Sequence, residues 1–135
     1  MSEHVMSEHP NVTRIREGYE AFGKGDIPAL DDLFAEDIRW YEPGRNQLSG
    51  AREGRQAVYE MFGRLMEITE GSFRLELHTV LADDDHGVAV LGVTAHRGDT
   101  SYSVTNVHVF RFTGDRVTEF RETTDDQYAV DAVMG

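Results

Sequence analysis

Thr100-Ser101-Tyr102-Ser103-Val104-Thr105-Asn106-Val107-His108-Val109-Phe110-Arg111-Phe112-Thr113 reads as a β-strand whose two faces differ. Successive side chains on a strand point to opposite sides, so Tyr102, Val104, Asn106, His108, Phe110 and Phe112 share one face. That row is apolar except at Asn106 and His108. The opposite face carries serines, threonines, Val107, Val109 and Arg111, which suits solvent or a partner sheet.

The same strand chemistry extends in both directions. Phe73 to Ala82, Val88 to Arg97 and Arg116 to about Thr124 are rich in β-branched and aromatic residues. Asp83–Gly87, Gly98-Asp99 and Gly114-Asp115 separate the strands, and connections this short make antiparallel hairpins. Before Gly71 the period changes. Val12, Ile15, Tyr19 and Phe22 recur every three or four residues after Pro10, which predicts a helix to about Lys24. Gly25 stops it, and Asp26 caps a short second helix expected to bury Ile27, Leu30, Leu33 and Phe34. Gly18 interrupts the first helix at a cost of roughly 1 kcal/mol relative to alanine, which points to close approach of another backbone or of a ligand. Residues 38–42 read as a short strand, and Pro43 to Gly50 as a loop. A third helix buries Val58, Phe62, Leu65 and Ile68 or Thr69, flanked by Met61 and Met66. Helices gathered first and a meander gathered last give an α+β fold, with helices on one face of an antiparallel sheet.

At 135 residues with 39% hydrophobic content the chain fits one domain, expected over residues 10–135. Residues 1–9 repeat Met-Ser-Glu-His without apolar periodicity and are expected to lie outside the fold. A net charge of -12 repels phosphate backbones and disfavours nucleic acid. There are no cysteines, hence no disulfides, thiol nucleophiles or zinc-thiolate sites. No apolar run approaches the ~20 residues that span a bilayer, and no signal-peptide pattern opens the chain, so the expectation is a cytoplasmic protein without membrane contact. Histidine spacing suggests no metal site, and the absence of a P-loop, dinucleotide fingerprint or nucleophile elbow suggests no cofactor.

Three polar residues are candidates for chemistry. His108 stands in an apolar row and reads either as a core histidine satisfied by a neighbour or as a site residue. Glu42 shares a face with Ile38 and Trp40, and burial beside an indole raises a carboxyl pKa towards neutrality, as a general base requires; a strand-end glutamate before proline can also turn outward. Asp125 lies where the last strand leaves the sheet. If Phe120 faces the core, Arg121 and Asp125 face away, unless a bulge or the strand end changes the register.

The element order, together with Gly25-Asp26 through Leu33-Phe34-Ala35-Glu36-Asp37-Ile38 to Glu42-Pro43, and His108-Val109-Phe110-Arg111-Phe112 with Gly114-Asp115-Arg116-Val117, resembles the SnoaL-like and ketosteroid-isomerase-like branch of the nuclear transport factor 2-like superfamily. The resemblance implies a cone-shaped fold around one apolar pocket. It also implies a proton-shuttling carboxylate at Glu42, an oxyanion donor at His108 and a cyclase-type acid/base at Asp125. The catalytic tyrosine of the ketosteroid isomerases falls on Gly18, with Tyr19 about 100° further round the helix. Epoxide-hydrolase-like relatives need an arginine between two carboxylates, a role Arg121 fills only if it points inward. Pocket-lining residues are expected at Gly18, Tyr19, Trp40, Phe62, Asn106, Phe110 and Arg121. The implied activity is proton transfer beside a carbonyl on a hydrophobic metabolite, in isomerisation or aldol-type cyclisation. The alternatives are a non-catalytic ligand-binding or dimerisation module and an epoxide-hydrolase-like enzyme. The outer sheet face, with Val107 and Val109, is expected to pair with a second copy in a homodimer.

Overall fold

A computed structural model describes residues 8–135. Its elements are helix α1 (Pro10–Lys24), helix α2 (Ile27–Leu33), strand β1 (Phe34–Glu42), strand β2 (Gly50–Glu53), helix α3 (Arg55–Ile68), strands β3 (Arg74–Ala82), β4 (His86–Arg97), β5 (Thr100–Thr113) and β6 (Arg116–Thr124), and helix α4 (Gln127–Met134).

Local chemistry sets the helix ends. Pro10 occupies the first turn of α1, where its missing N–H costs nothing, and the His9 ring accepts a hydrogen bond from the Asn11 amide. Gly25 ends the helix in the left-handed region at φ 66°, and the Asp26 carboxylate caps α2 through the Ala29 amide. His9 also reaches Asp84 at 2.7 Å, so it belongs to the fold rather than to the tail expected over residues 1–9. The remainder of that expectation, residues 1–7, lies outside the described residues.

The strands form one six-stranded sheet in the order β2-β1-β6-β5-β4-β3. The expected meander pairs antiparallel from β3 to β6, but β1 lies parallel to β6, which makes the sheet mixed. Register shifts interrupt the β1–β6, β3–β4 and β5–β6 ladders, and each such irregularity adds local bend and twist. The sheet curves without closing, and its four helices pack on it in the cone shape of this fold.

Burial on β5 alternates residue by residue, with Tyr102, Val104, Asn106, His108, Phe110 and Phe112 all inside. Tyr102, Val104, Phe110 and Phe112 join Ile15 from α1 and Val58, Met61 and Leu65 from α3 in one core. Gly87 on β4 leaves room for Ile15, which a Cβ at that position would strike.

Several elements differ from the sequence expectation. Phe34 opens β1 instead of closing α2, and Ile27 stays 40% exposed, because a seven-residue helix presents only Leu30 and Leu33 to the core. Part of the expected 43–50 loop ends in β2, which pairs with the end of β1. After β6 the chain forms α4. Its Asp131 carboxylate accepts bonds from the Arg45 amide, the Asn46 side chain and the Gln127 side chain, fastening the helix to the loop after β1. Among the described residues, no helix is long and apolar enough to cross a membrane.

Candidate active site

Strand register builds the site in two rows across the inner face. In the first row Trp40 on β1 pairs with Phe120 on β6, which pairs with Phe110 on β5. The Trp40 and Phe120 rings stack 3.6 Å apart, and Phe110 meets Phe120 edge-on. One strand-period further along lies a polar row. His108 pairs directly with Glu122, and because Tyr41 pairs with Arg121, Glu42 follows beside Glu122. Three neighbouring strands thus set Glu42, Glu122 and His108 side by side above an aromatic floor.

The polar row is hydrogen-bonded from end to end. The Trp40 indole N–H donates to Glu42 Oε2 at 2.7 Å, and Glu42 and Glu122 share a hydrogen bond. Glu122 Oε1 lies 2.8 Å from His108 Nε2, and His108 Nδ1 lies 2.5 Å from the Tyr19 hydroxyl, delivered from α1. The Tyr19 ring stacks against the imidazole and meets Phe110 edge-on. Asn106 sits one period from His108, buried, with its Oδ1 unpaired.

Burial sets the protonation of this row. It pushes His108 down to about 4, against the pull of Glu42's charge, so the imidazole is neutral near pH 7. Burial raises Glu122 to about 7, opposed by hydrogen bonds from Glu42 and Asn106. Glu42 is pushed well above the carboxylate range, first by burial and next by the charge of Glu122, with Trp40 pulling the other way. Two buried carboxyls side by side do not readily both ionise, so near neutrality the pair keeps a shared proton. Burial and the charge of Glu122 also keep the Tyr19 hydroxyl protonated.

This row stands at the head of a cavity of about 100 Å³, well above the roughly 10–15 Å³ that one water needs. Its walls are mostly aliphatic and aromatic, and include Phe22, Phe62, Phe73 and Leu75; α4 contributes Gln127, Val130 and Met134.

Of the residues singled out from sequence, Gly18, Tyr19, Trp40, Glu42, Phe62, Asn106, His108 and Phe110 line this cavity. The close neighbour of Gly18 is the Leu33 side chain, 2.6 Å from where a Cβ would stand. Arg121 does not join them. It points to the outer face, with Nε 3.2 Å from Glu119 and its guanidinium 4.0 Å above the Tyr41 ring, because strand parity turns it away from Phe120. The arginine between carboxylates required by the epoxide-hydrolase-like alternative is therefore not formed. Asp125 is also outside: its Oδ1 accepts from the Thr105 amide and its own amide donates to the Thr105 carbonyl, so it terminates the β5–β6 ladder as an exposed cap. Sequence reasoning missed Glu122. The signal was available, since Glu122 is two residues beyond Phe120 and shares its face.

The model of the SnoaL-like domain family matches residues 15–120. The chain belongs to this family. Among solved structures, Bal32a from a soil-derived mobile gene cassette is 37% identical with a TM-score of 0.87, covering 93% of this chain and 96% of that one. An NTF2-like protein of unknown function from Burkholderia pseudomallei is 25% identical with a TM-score of 0.80, covering 92% of this chain and 96% of that one. An uncharacterised protein of Mycobacterium tuberculosis is 26% identical over 94% of this chain and 98% of its own length. The SnoaL branch of the NTF2-like superfamily, suggested by the sequence, is thus the right one. Within it, the acidic residue that this chain brings into the cavity from its last strand is Glu122 rather than Asp125.

Proposed function

We propose that this SnoaL-like protein is an enzyme that moves a proton at a carbon beside a carbonyl of an apolar small molecule, with Glu122 as base and Glu42 as acid. The observation that carries this reading is a pair of adjacent carboxyls, Glu42 held by the Trp40 indole and Glu122 by His108, lining a mostly apolar cavity. A base and an acid with protonation states separated by their surroundings, facing the same enclosed space, are what enolisation requires. Both ring nitrogens of His108 are already engaged, so its part is to position Glu122 and not to meet an oxyanion directly. The test uses 1-tetralone and 2-tetralone in D₂O, followed by proton NMR. Wild-type protein is expected to exchange their α-protons faster than buffer and a denatured control. Binding without exchange would overturn the reading in favour of a non-catalytic ligand-binding module.

The partner reading is a homodimer. Val109 is 39% exposed on the outer sheet face beside the Arg121–Tyr41 stack, and both features suit burial against a second copy. Sedimentation at micromolar concentration is expected to show a dimer; a monomer there removes this part of the proposal.

A further inference from the structure

We infer that the ligand of this site carries a hydroxyl group that donates to the Tyr19 oxygen, and that Tyr19, His108 and Glu122 relay that proton to the carboxyl pair. The inference rests on the acid–base reading of Glu42 and Glu122, and adds to it the class of substrate: a hydroxy-carbonyl compound.

The argument counts donors. A neutral imidazole has one N–H and one acceptor nitrogen, and an ionised carboxylate only accepts. Glu122 faces Nε2 at 2.8 Å, so Nε2 carries the hydrogen and Nδ1 must accept. The group facing Nδ1 is the Tyr19 hydroxyl at 2.5 Å, so the single hydrogen of Tyr19 is spent on His108. What Tyr19 then offers the cavity it lines is lone pairs. A carbonyl oxygen placed there meets another acceptor; a hydroxyl meets a partner. The stacked imidazole and the edge-on Phe110 hold the phenol ring in this pose.

The same line conducts. The ligand O–H breaks as its proton passes to the Tyr19 oxygen, the Tyr19 proton forms the Nδ1–H bond, and the Nε2 proton passes to the Glu122 carboxylate. One proton moves from ligand hydroxyl to Glu122 in a step separate from α-proton abstraction, while Glu122 is ionised; the ligand is left an alkoxide, and His108 changes tautomer without ever becoming an imidazolium. That route matters in this setting, because burial disfavours a charged ring.

Two measurements test it, neither of which reads turnover. In the ¹⁵N-histidine-labelled full chain at pH 8, long-range proton–nitrogen correlation is expected to show His108 protonated at Nε2 and bare at Nδ1; the opposite tautomer overturns the inference. In fluorescence titrations, 2-naphthol is expected to bind about tenfold more tightly than 2-methoxynaphthalene, which keeps the ring and oxygen but lacks the donor. Tyr19→Phe, checked by its thermal midpoint, should bring the two within about threefold, the size of effect expected when one hydrogen bond is lost. Equal binding to wild type, no binding of either probe, or a preference that survives Tyr19→Phe each overturns it. Glu42→Gln should keep the naphthol preference while losing α-proton exchange, so a failure of the acid–base reading is distinguishable from a failure of this one.

Discussion

Glu42→Gln is expected to slow α-proton exchange on a carbonyl ligand by about 100-fold or more while leaving affinity within a few-fold, since general acid–base catalysis is typically worth about 10²–10⁴-fold. The substitution is close to a purely chemical one. The glutamine carbonyl still accepts the Trp40 indole N–H, and its amide still donates to Glu122, so the shape of the polar row is kept. What disappears is the transferable proton. Glu122→Gln removes the base and should cost a similar factor, while also depriving His108 Nε2 of its carboxylate. Because the two carboxyls act on one proton, the double variant should lose less than the product of the separate losses. Exchange rates from NMR and affinities from calorimetry, measured on the same ligand, separate the cases. A Glu42→Gln protein that exchanges at the wild-type rate would sink the mechanism.

What the sequence revealed, and what it withheld, follows from the range of the interactions. The inward face of β5 was legible because alternation is a local property, and His108 and Asn106 stood out from it as polar residues in an apolar row. Trp40 and Glu42 were legible in the same way. Glu122 needed only the same two-residue step from Phe120, whereas the family resemblance pointed to Arg121 and Asp125, which lie outside the cavity. The parallel pairing of β1 with β6 was not legible, since it joins strands separated by most of the chain and no turn signals it. Nor was β2, where Gly50 to Glu53 contains one apolar residue, Ala51, and gains its strand conformation by pairing with the end of β1. Helix α4 gave its start only through Asp126, whose cap reads equally as a turn, and its anchoring depends on Asp131 meeting Arg45 and Asn46 across the fold. The candidate site lies where these levels meet: local periodicity points its side chains inward, and non-local register sets them in a row.

Stability should fall as pH rises above about 5, and Glu42→Gln should abolish most of that fall. A carboxyl whose folded pKa is raised contributes stability that is fully present below its unfolded value and is lost as pH rises through the folded value. For Glu122 that window runs from 4.5 to about 7, and for Glu42 it opens at 4.5 and runs well above it. His108 has the opposite sign. Its pKa is lowered from 6.5 to about 4, so its contribution is present above 6.5 and lost as pH falls through about 4. Between 4.5 and 6.5 the His108 contribution changes against those of both carboxyls and offsets about one of them, so wild-type stability already falls there, by about 1.4 kcal/mol for each pH step over which the folded form holds one more proton than the unfolded. Above 6.5 the His108 offset is gone and the carboxyl pair acts unopposed. Wild-type stability should therefore fall steadily as pH rises above about 5, as measured by urea unfolding at fixed ionic strength. Glutamine at position 42 has no proton to lose, which leaves the opposed contributions of Glu122 and His108. Its curve should stay nearly flat over the same range, while a variant curve that falls in parallel with wild type would place the alkaline loss elsewhere in the molecule and remove the shared-proton pair from the account of this site.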